Sequence, residues 1–359
     1  MKLPHVSQEK YNKKIEKCKL KTRSDIQLDQ WQRGNYHAHD YYDFKDNLER
    51  IDYSTTVEEF EDYIRNGKPV VITGGMDKWP AYKKWTPTYL AYTYRYEKFK
   101  VGEDDDENIV YLSAKYFFNY CFREGLKDDS PLYIFDAVDS KHKYDPGSSQ
   151  ATCHLVDDYT VPKYFRNDLL QLGGSRRPPF RWIVIGPGRS GTGMHVDPLA
   201  WNALIQGEKR WVLFPPGTSK DLVNPKNIDK EPCTWFATIY PKLKNKIDMI
   251  EIRQKPGEIV FVPGGWLHIV MNLNFCIAVT QNFCHPLTFD RVWLETRYSR
   301  KKLAAKIYKQ LPMELQHTVE CLKRLPAIAS SSDDSTSESS SDSDIDVVCQ
   351  CHGIKRRKS

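Results

Sequence analysis

The sequence lacks a long apolar run. Its longest apolar stretch extends from Ile259 to Met271 and is interrupted by the Pro-Gly-Gly turn at 263–265 and by His268. A transmembrane helix needs roughly 18 consecutive apolar residues. The N-terminus is basic throughout and has no apolar core of the kind found in signal peptides. We therefore expect no transmembrane segment, and a surface receptor is disfavoured.

Cysteine pairs are also missing, because the nine cysteines include no C-x-x-C motif. This excludes a thioredoxin-like redox motif and a paired zinc knuckle. We expect most of the cysteines to be free, buried thiols in a reducing compartment. The stretch GPGRSGTG at 186–193 lacks the Lys-Ser/Thr of a phosphate-binding Walker motif, so it predicts a turn leading into a strand.

Charge is concentrated at the ends of the chain. Residues 8–23 hold seven Lys or Arg against two Glu, and residues 330–346 hold nine serines and six acids, followed by a basic cluster at 355–358. The serine-rich segment has little apolar surface to bury and is predicted to be disordered. Basic clusters on flexible ends indicate nuclear targeting or nucleic-acid contact, and simple solvated charge is the equally weighted alternative.

The most informative residues are His195, Asp197 and His268, in the contexts GTGMHVDP and FVPGGWLHIVMN. Side chains two apart on a strand share a face, so the first two can be directed at one point. With a second histidine they would form the 2-His-1-carboxylate triad of non-heme Fe(II) oxygenases, which leaves coordination positions open. An isolated His-x-Asp is weak evidence, since a single strand histidine is more often a hydrogen-bonded core residue.

The surroundings of these residues are rich in short strands. WNALIQGEKRWVLFPP contains two apolar strands joined at Gln206-Gly207-Glu208, which predicts a hairpin, and residues 257–283 predict three more strands. We predict a mainly β fold with flanking helices (α+β), built on a jelly-roll barrel whose mouth can hold a ligand.

Helices are predicted on both sides of the barrel. Thr55 and Glu58 have capping-box spacing at the start of VEEFEDYIRN, and Thr86 followed by Pro87 predicts the start of a second helix. KPVVITGG between them predicts a buried strand. RVWLETRYSRKKLAAKIYKQL predicts one long helix that Pro312 ends. It could pack on its own barrel, the commoner outcome, or on a second copy in a homo-oligomer.

Three stretches resemble one known family: DDSPLYIFD at 128–136, residues 176–215 and residues 255–283. They are similar to the Jumonji-C (JmjC) oxygenases, in the branch formerly called the phosphatidylserine receptor and now described as lysyl hydroxylase and arginine demethylase. Looser similarity covers roughly residues 20–310 and returns in the tail. The resemblance implies a double-stranded β-helix of the cupin type. It divides the chain into a basic N-terminal arm (1–45), the JmjC catalytic domain with its N-terminal buttress (46–290), a C-terminal helical segment (291–328) and a disordered tail with a basic end (329–359).

The resemblance also implies the cofactors and their residues. Fe(II) would be bound by the triad, with 2-oxoglutarate chelating the metal, dioxygen at the open position and ascorbate as an optional reductant. Lys209 would pair with the distal carboxylate of 2-oxoglutarate, because an unpaired buried charge is very costly. Asn202, Tyr133 and Thr280 would assist Lys209, and Trp182 and Asn282 would line the substrate side. For Trp182 plain core packing is an equally good interpretation.

The sequence departs from the family pattern in one place. Three residues, Gly-Thr-Ser, that follow His-x-Asp-Pro-Leu in the family are missing between Leu199 and Ala200. An odd deletion inside a strand would turn Asn202 and Lys209 away from the pocket, whereas a deletion in a loop would not. Since Pro198 disfavours a continuing central strand, we expect the deletion to lie in a loop.

The implied activity is hydroxylation of lysine side chains, or demethylation of arginine, coupled to oxidative decarboxylation of 2-oxoglutarate. The expected substrates are Lys/Arg-rich proteins, namely histones and Arg/Ser-rich RNA-processing factors, in the nucleus, and RNA is a further candidate partner. The acidic run at 101–108 is a candidate for the substrate entrance, although a solvated loop is the more common role. The alternative from another class is a non-enzymatic recognition protein that binds RNA or anionic phospholipid in apoptotic-cell clearance.

Overall fold

The computed structural model describes residues 2–137, 154–177, 180–226, 228 and 231–322. The strands in this part of the chain are β1 Arg50–Asp52, β2 Val70–Thr73, β3 Lys98–Glu103, β4 Ile109–Ser113, β5 Ile134–Ala137, β6 Arg181–Gly186, β7 Gly191–Val196, β8 Ala200–Gln206, β9 Lys209–Phe214, β10 Ile250–Gln254, β11 Ile259–Val262, β12 Leu267–Asn272 and β13 Cys276–Asn282. The α-helices are α1 Gln8–Thr22, α2 Val57–Arg65, α3 Pro80–Lys84, α4 Pro87–Thr93, α5 Ala114–Cys121, α6 Lys220–Val223, α7 Pro232–Thr238, α8 Tyr240–Leu243, α9 Phe289–Ser299, α10 Lys301–Gln310 and α11 Met313–Leu322. Short 3-10 helices lie at Leu28–Gln32, Tyr36–Ala38, Glu124–Leu126, Val156–Asp158, Lys163–Phe165, Leu169–Arg176 and Pro286–Thr288.

Two sheets form the predicted jelly roll. The larger has the strand order β1-β2-β11-β8-β13-β6-β5 and the smaller the order β10-β9-β12-β7, while β3 and β4 form a separate pair. Ladders within both sheets are antiparallel except that between β1 and β2. Strands from both sheets line one internal cavity. The fold class predicted from the sequence is therefore confirmed.

Strand β12 shows how the sequence pattern places side chains in this cavity. All six of its residues are buried. Alternate residues of a strand point to opposite faces. Leu267, Ile269 and Met271 pack in a core with residues of α7 and α8, and His268 and Val270 line the cavity. Because both faces of β12 are buried, most of its residues are apolar. A histidine in such a strand is therefore unusual and indicates a functional role.

The predicted hairpin at Gln206-Gly207-Glu208 is wrong. Gly207 has a positive φ of 89°, as a tight turn requires, but β8 and β9 belong to different sheets. β8 pairs with β11 and β13, whereas β9 pairs with β10 and β12. The turn therefore carries the chain from one sheet of the barrel to the other. Local sequence predicts the turn, but it does not reveal which strands pair beyond it.

The N-terminal segment is not a flexible basic arm over residues 8–22, as the sequence had suggested. These residues form α1, and Tyr11, Ile15 and Cys18 are buried in the main core. Lys19 is also buried and forms an ion pair with Asp128, 2.5 Å between Nζ and Oδ2. The buried residues lie at helical spacing and so share one face. This apolar face is hard to recognise in the sequence because most of the intervening residues are lysines.

The helix predicted in VEEFEDYIRN, residues 57–66, is present as α2, although its capping box is shifted by one residue from the predicted pair. Thr56 accepts a hydrogen bond from the Glu59 backbone, and the Glu59 carboxylate accepts one from the Thr56 backbone. Thr86 caps α4 with Pro87 at its first position, as predicted, and KPVVITGG contains the buried strand β2.

The predicted long C-terminal helix is instead two helices. They are interrupted at Arg300, whose φ of −141° and ψ of 63° are not helical, and a further helix follows Pro312. Leu303 and Ile307 of α10 pack with Leu169 and Cys284 of the same chain, so α10 contacts its own domain. No helix of the described part is long and apolar enough to cross a membrane. The serine-rich tail and its basic end, residues 329–359, lie outside the described residues.

Candidate metal and co-substrate site

His195, Asp197 and His268 meet at one end of the cavity. His195 and His268 are directly opposite each other in the β7–β12 ladder, and Asp197 follows β7 immediately. The Nε2 atoms of the two histidines lie 3.5 and 3.6 Å from the same Asp197 oxygen, Oδ2. One ligand atom from each residue lies within 4.8 Å of the others, and all three residues are buried. Two nitrogens and one carboxylate oxygen thus face a common point, as a facial triad requires.

Hydrogen bonds fix the orientation of all three side chains. His195 Nδ1 lies 2.7 Å from the Gly193 carbonyl oxygen, and His268 Nδ1 lies 3.0 Å from that of Trp266. A carbonyl can only accept, so each Nδ1 carries the proton and each Nε2 presents a lone pair to a metal. Asn282 donates from Nδ2 to Asp197 Oδ1 at 3.1 Å, which leaves Oδ2 for the metal.

The protonation states also suit a divalent cation. Burial and, to a smaller extent, the neighbouring His195 lower the pKa of His268 to about 4. Burial lowers the pKa of His195 as well, but Asp197 and the Gly193 carbonyl outweigh burial and raise it. Burial raises the pKa of Asp197, yet the two histidines and Asn282 hold it below its ordinary value. The carboxylate therefore attracts one proton to His195, and a bound metal would displace that proton.

Lys209 lies at the other end of the cavity. Its side chain is buried, and its Nζ donates to Asn272 Oδ1 at 2.8 Å. No carboxylate of the described residues pairs with it. Burial lowers the pKa of Lys209 to about 8. A buried ammonium without a counter-charge favours an anionic ligand, because such a ligand would offset the cost of burying the charge.

Three further predicted residues line the same cavity as Lys209. The Tyr133 ring centroid is 5.8 Å from Lys209 Nζ, and Thr192 is a hydrogen-bond partner of Tyr133. Asn202 is buried, and its Oδ1 has no hydrogen-bond partner in the described structure. Thr280 donates its hydroxyl proton to the Trp201 carbonyl at 2.9 Å, so it would have to rotate away before donating to a carboxylate.

The two residues predicted for the substrate side also line the cavity. Trp182 packs against Phe135 with 5.7 Å between ring centroids. Asn282 holds Asp197, so its observed role is to orient a metal ligand. All nine residues predicted from the sequence thus line one cavity.

The shortened link between β7 and β8 lies in a loop, as expected. Asp197, Pro198 and Leu199 separate the two strands, and Asn202 and Lys209 face the cavity. The link is also close to the turn before β12, because a Cβ on Gly264 would lie only 2.0 Å from the Pro198 carbonyl oxygen. Glycine is therefore required where these two loops meet.

Sequence reasoning missed Asn272 and Thr192. Asn272 is four residues after His268 on β12, so the two share a face, and that parity was the available signal. The acidic run at 101–108, by contrast, does not line the cavity. Asp104 accepts hydrogen bonds from the backbone of Asp106 and Asn108, and Asp105 bonds to Ser24. The place of this run at the substrate entrance stays a prediction.

The two histidines and the carboxylate of the triad suit Fe(II). The Lys209 ammonium, which no carboxylate of the described residues neutralises, suits a dicarboxylate that chelates the metal. His268→Ala removes one nitrogen ligand and should abolish binding of Fe(II), or of Mn(II) as a stable probe, while circular dichroism still reports a folded barrel. His285→Ala is the matched control, because His285 is equally buried but lies outside the triad. Calorimetric titration with the metal checks this, and metal binding by the His268 variant at wild-type affinity would contradict the assignment.

The comparisons with known proteins agree with this geometry. Residues 56–289 match the model of the cupin-like domain. The chain is 40% identical over 328 residues to the bifunctional arginine demethylase and lysyl-hydroxylase psr-1 of Caenorhabditis elegans, covering 87% of this chain and 80% of the relative. It is 36% identical over 271 residues to the arginine-specific demethylase JMJ22 of Arabidopsis thaliana, covering 72% and 50%. The 2-oxoglutarate and iron-dependent oxygenase JMJD4 of Gallus gallus is 34% identical over 146 residues, covering 38% and 34%.

All three relatives are named as enzymes, which favours an enzyme over a non-enzymatic recognition protein. The match to the family model covers more than half of the chain, and the first relative matches over most of its length. The triad and the buried Lys209 ammonium, which no carboxylate of the described residues neutralises, suit such an enzyme. The chain therefore belongs to the cupin-like Jumonji-C family of Fe(II)- and 2-oxoglutarate-dependent oxygenases.

Proposed function

We propose that this oxygenase hydroxylates lysine side chains of Lys/Arg-rich proteins, with demethylation of methylated arginine as its second activity. The observation that carries the proposal is the combination, in one cavity, of an open metal triad with a buried lysine that no carboxylate of the described residues neutralises. The names of two Caenorhabditis relatives, each a bifunctional arginine demethylase and lysyl-hydroxylase, support the choice of substrate side chains.

Different residues of the cavity would bind the metal and the co-substrate. His195, Asp197 and His268 would hold the iron, which supplies activation of dioxygen together with 2-oxoglutarate. Asn282 keeps Asp197 oriented, as its hydrogen bond indicates. Lys209 would bind the distal carboxylate of 2-oxoglutarate and so fix its position relative to the metal.

The aromatic part of the cavity wall suits a long cationic side chain. Phe135 and Trp182 present aromatic surface there. Asp197 is the one carboxylate among the described lining residues, and it is engaged by the histidines and Asn282. A lysine or arginine stem could pack on the rings, whose faces also attract cations.

The physiological partners we propose are histones and Arg/Ser-rich RNA-processing factors, met in the nucleus, with RNA as a further ligand. Since the lysines of α1 belong to a folded helix, the targeting signal is assigned to the cluster at 355–358. Its four consecutive Lys and Arg residues have the composition of a nuclear localisation signal.

Lys209→Ala should weaken binding of 2-oxoglutarate by about 2 to 5 kcal/mol, the range for truncating one partner of a buried charge pair. Metal binding should be unchanged, because Lys209 is not a member of the triad. Lys220→Ala removes an exposed lysine and is the control. Calorimetric titration of the metal-loaded proteins, kept free of oxygen, measures both affinities. If Lys209→Ala bound 2-oxoglutarate as tightly as the wild type, Lys209 would not be the partner of the distal carboxylate.

The reaction itself is tested with basic peptides incubated with Fe(II), 2-oxoglutarate and oxygen. Mass spectrometry should show the gain of one oxygen atom on lysine and, on methylated arginine peptides, the loss of one methylene unit with release of formaldehyde. Both products should require His195, Asp197 and His268. Succinate formation without any modified peptide would show that these peptides are not substrates.

Nuclear accumulation should depend on the basic cluster at 355–358. Alanine substitution of its four residues should move the tagged protein out of the nucleus, because an importin would lose its cationic ligand. The paired control replaces Lys13 and Lys14, which are exposed on α1, and should leave the distribution unchanged. Fluorescence imaging of both tagged variants measures their distribution. Exclusion of the tagged wild-type protein from nuclei would overturn the assigned compartment.

A further inference from the structure

Asn272 and Lys209 form a second cross-strand pair beside the metal pair. They are directly opposite each other in the β12–β9 ladder, just as His268 and His195 are opposite in the β12–β7 ladder. His268 and Asn272 share one face of β12 because they are four residues apart. One strand thus carries a metal ligand toward one end of the cavity and the partner of Lys209 toward the other.

The Asn272 amide can point in only one way. Its Nδ2 donates to Ser190 Oγ at 3.0 Å and to the Gly186 carbonyl oxygen at 3.4 Å. Ser190 in turn donates to the Pro187 carbonyl at 2.6 Å. A flipped amide would place its NH2 group against the Lys209 ammonium and its oxygen against the Gly186 carbonyl, which pairs donor with donor and acceptor with acceptor. Oδ1 is therefore held toward Lys209.

A neutral amide is well suited to this position. An ammonium has three donors, and Asn272 takes one of them, 2.8 Å from Nζ. A carboxylate there would neutralise Lys209 and compete with an anionic ligand. An apolar residue would leave a buried charge without any acceptor from this strand. The amide stabilises the charge without cancelling it, so two donors and the net positive charge remain for the ligand.

We propose that Asn272 is a positioning residue for the co-substrate, which holds the Lys209 ammonium charged and directed at the distal carboxylate of 2-oxoglutarate. This inference rests on the proposed function, since it takes 2-oxoglutarate as the anion that Lys209 binds. Asn272 acts through Lys209.

The other groups facing Lys209 do not titrate in the same range. Tyr133, which immediately precedes β5, and Cys276 from β13 are its titratable neighbours. Burial raises the pKa of Cys276 to about 12 and raises the pKa of Tyr133 above its ordinary value. Glu208, the preceding residue, pairs with Arg253. Loss of 2-oxoglutarate affinity as the pH rises through about 8 would therefore report deprotonation of Lys209.

The test compares wild type with Asn272→Leu and Asn272→Asp. Affinity for 2-oxoglutarate is measured by calorimetry on the oxygen-free, metal-loaded proteins between about pH 6 and 9.5, a range that spans the lowered and ordinary pKa values of the lysine. Asn272→Leu removes the acceptor, so the affinity should fall roughly 10- to 100-fold and its alkaline loss should begin at lower pH. Asn272→Asp should also weaken binding, but a carboxylate raises the pKa of Lys209, so the alkaline loss should begin at higher pH.

If the pH at which 2-oxoglutarate affinity is lost falls in Asn272→Leu and rises in Asn272→Asp, Asn272 has a positioning role. A purely structural defect would lower the melting temperature of both variants, but it would not shift this pH in opposite directions. Asn272→Asp keeps the inference testable if the leucine variant does not fold. Wild-type affinity and pH profile in either folded variant would overturn it. Lys209→Ala is the reference: if it binds 2-oxoglutarate as tightly as wild type, the proposed function and this inference both fail. If only the Asn272 variants behave as wild type, the inference alone fails.

Discussion

The site depends on one buried positive charge that the described part of the protein does not neutralise. Lys209 is enclosed by the barrel and contacts the neutral amide of Asn272. Burying an ammonium is costly unless a partner is present, and burial lowers its pKa to about 8 for this reason. Under the proposed function, the distal carboxylate of the co-substrate would supply the missing partner. The cost of burying the charge in the ligand-free protein would then favour an anionic ligand over a neutral one.

The barrel fixes the position of this charge relative to the metal site. Strand β12 pairs with β7 at the metal end and with β9 along its length, so the register of one sheet sets the separation between metal and lysine. The larger sheet closes the cavity from the other side with Trp182 and Asn202, and Tyr133 lines it just before β5. Because register is fixed by side chains that are buried on both faces of β12, a slip of one residue would turn His268 away from the cavity and Asn272 away from Lys209 together.

Much of this site could be predicted from the sequence, for identifiable reasons. The triad follows from strand parity and from the turns that flank it, and Pro198 correctly indicated a loop at the shortened link. Family resemblance supplied Lys209, Asn202, Tyr133 and Thr280, which periodicity alone would not single out. Asn272 was missed because it stands in a stretch, NLN, that resembles turn residues.

The errors have a common physical cause, which is that tertiary pairing is not encoded locally. The turn at Gly207 joins two sheets, although its composition suits a hairpin equally well. Adjacent Thr55-Thr56 and Glu58-Glu59 offer two capping boxes, and packing selects the second. The apolar face of α1 has only a few large residues among its lysines, and it is stable because a core accepts it.

The most direct test of the account uses two keto acids that differ only in the distal carboxylate. Thermal unfolding of the metal-loaded, oxygen-free protein is followed with 2-oxoglutarate or with 2-oxobutyrate, for wild type and for Lys209→Ala. A ligand that binds the folded state stabilises it in proportion to its affinity. The account predicts that 2-oxoglutarate stabilises the wild type far more than 2-oxobutyrate does, and that this difference disappears in the variant. Equal stabilisation of the wild type by both acids would contradict the claim that the buried Lys209 charge selects the co-substrate.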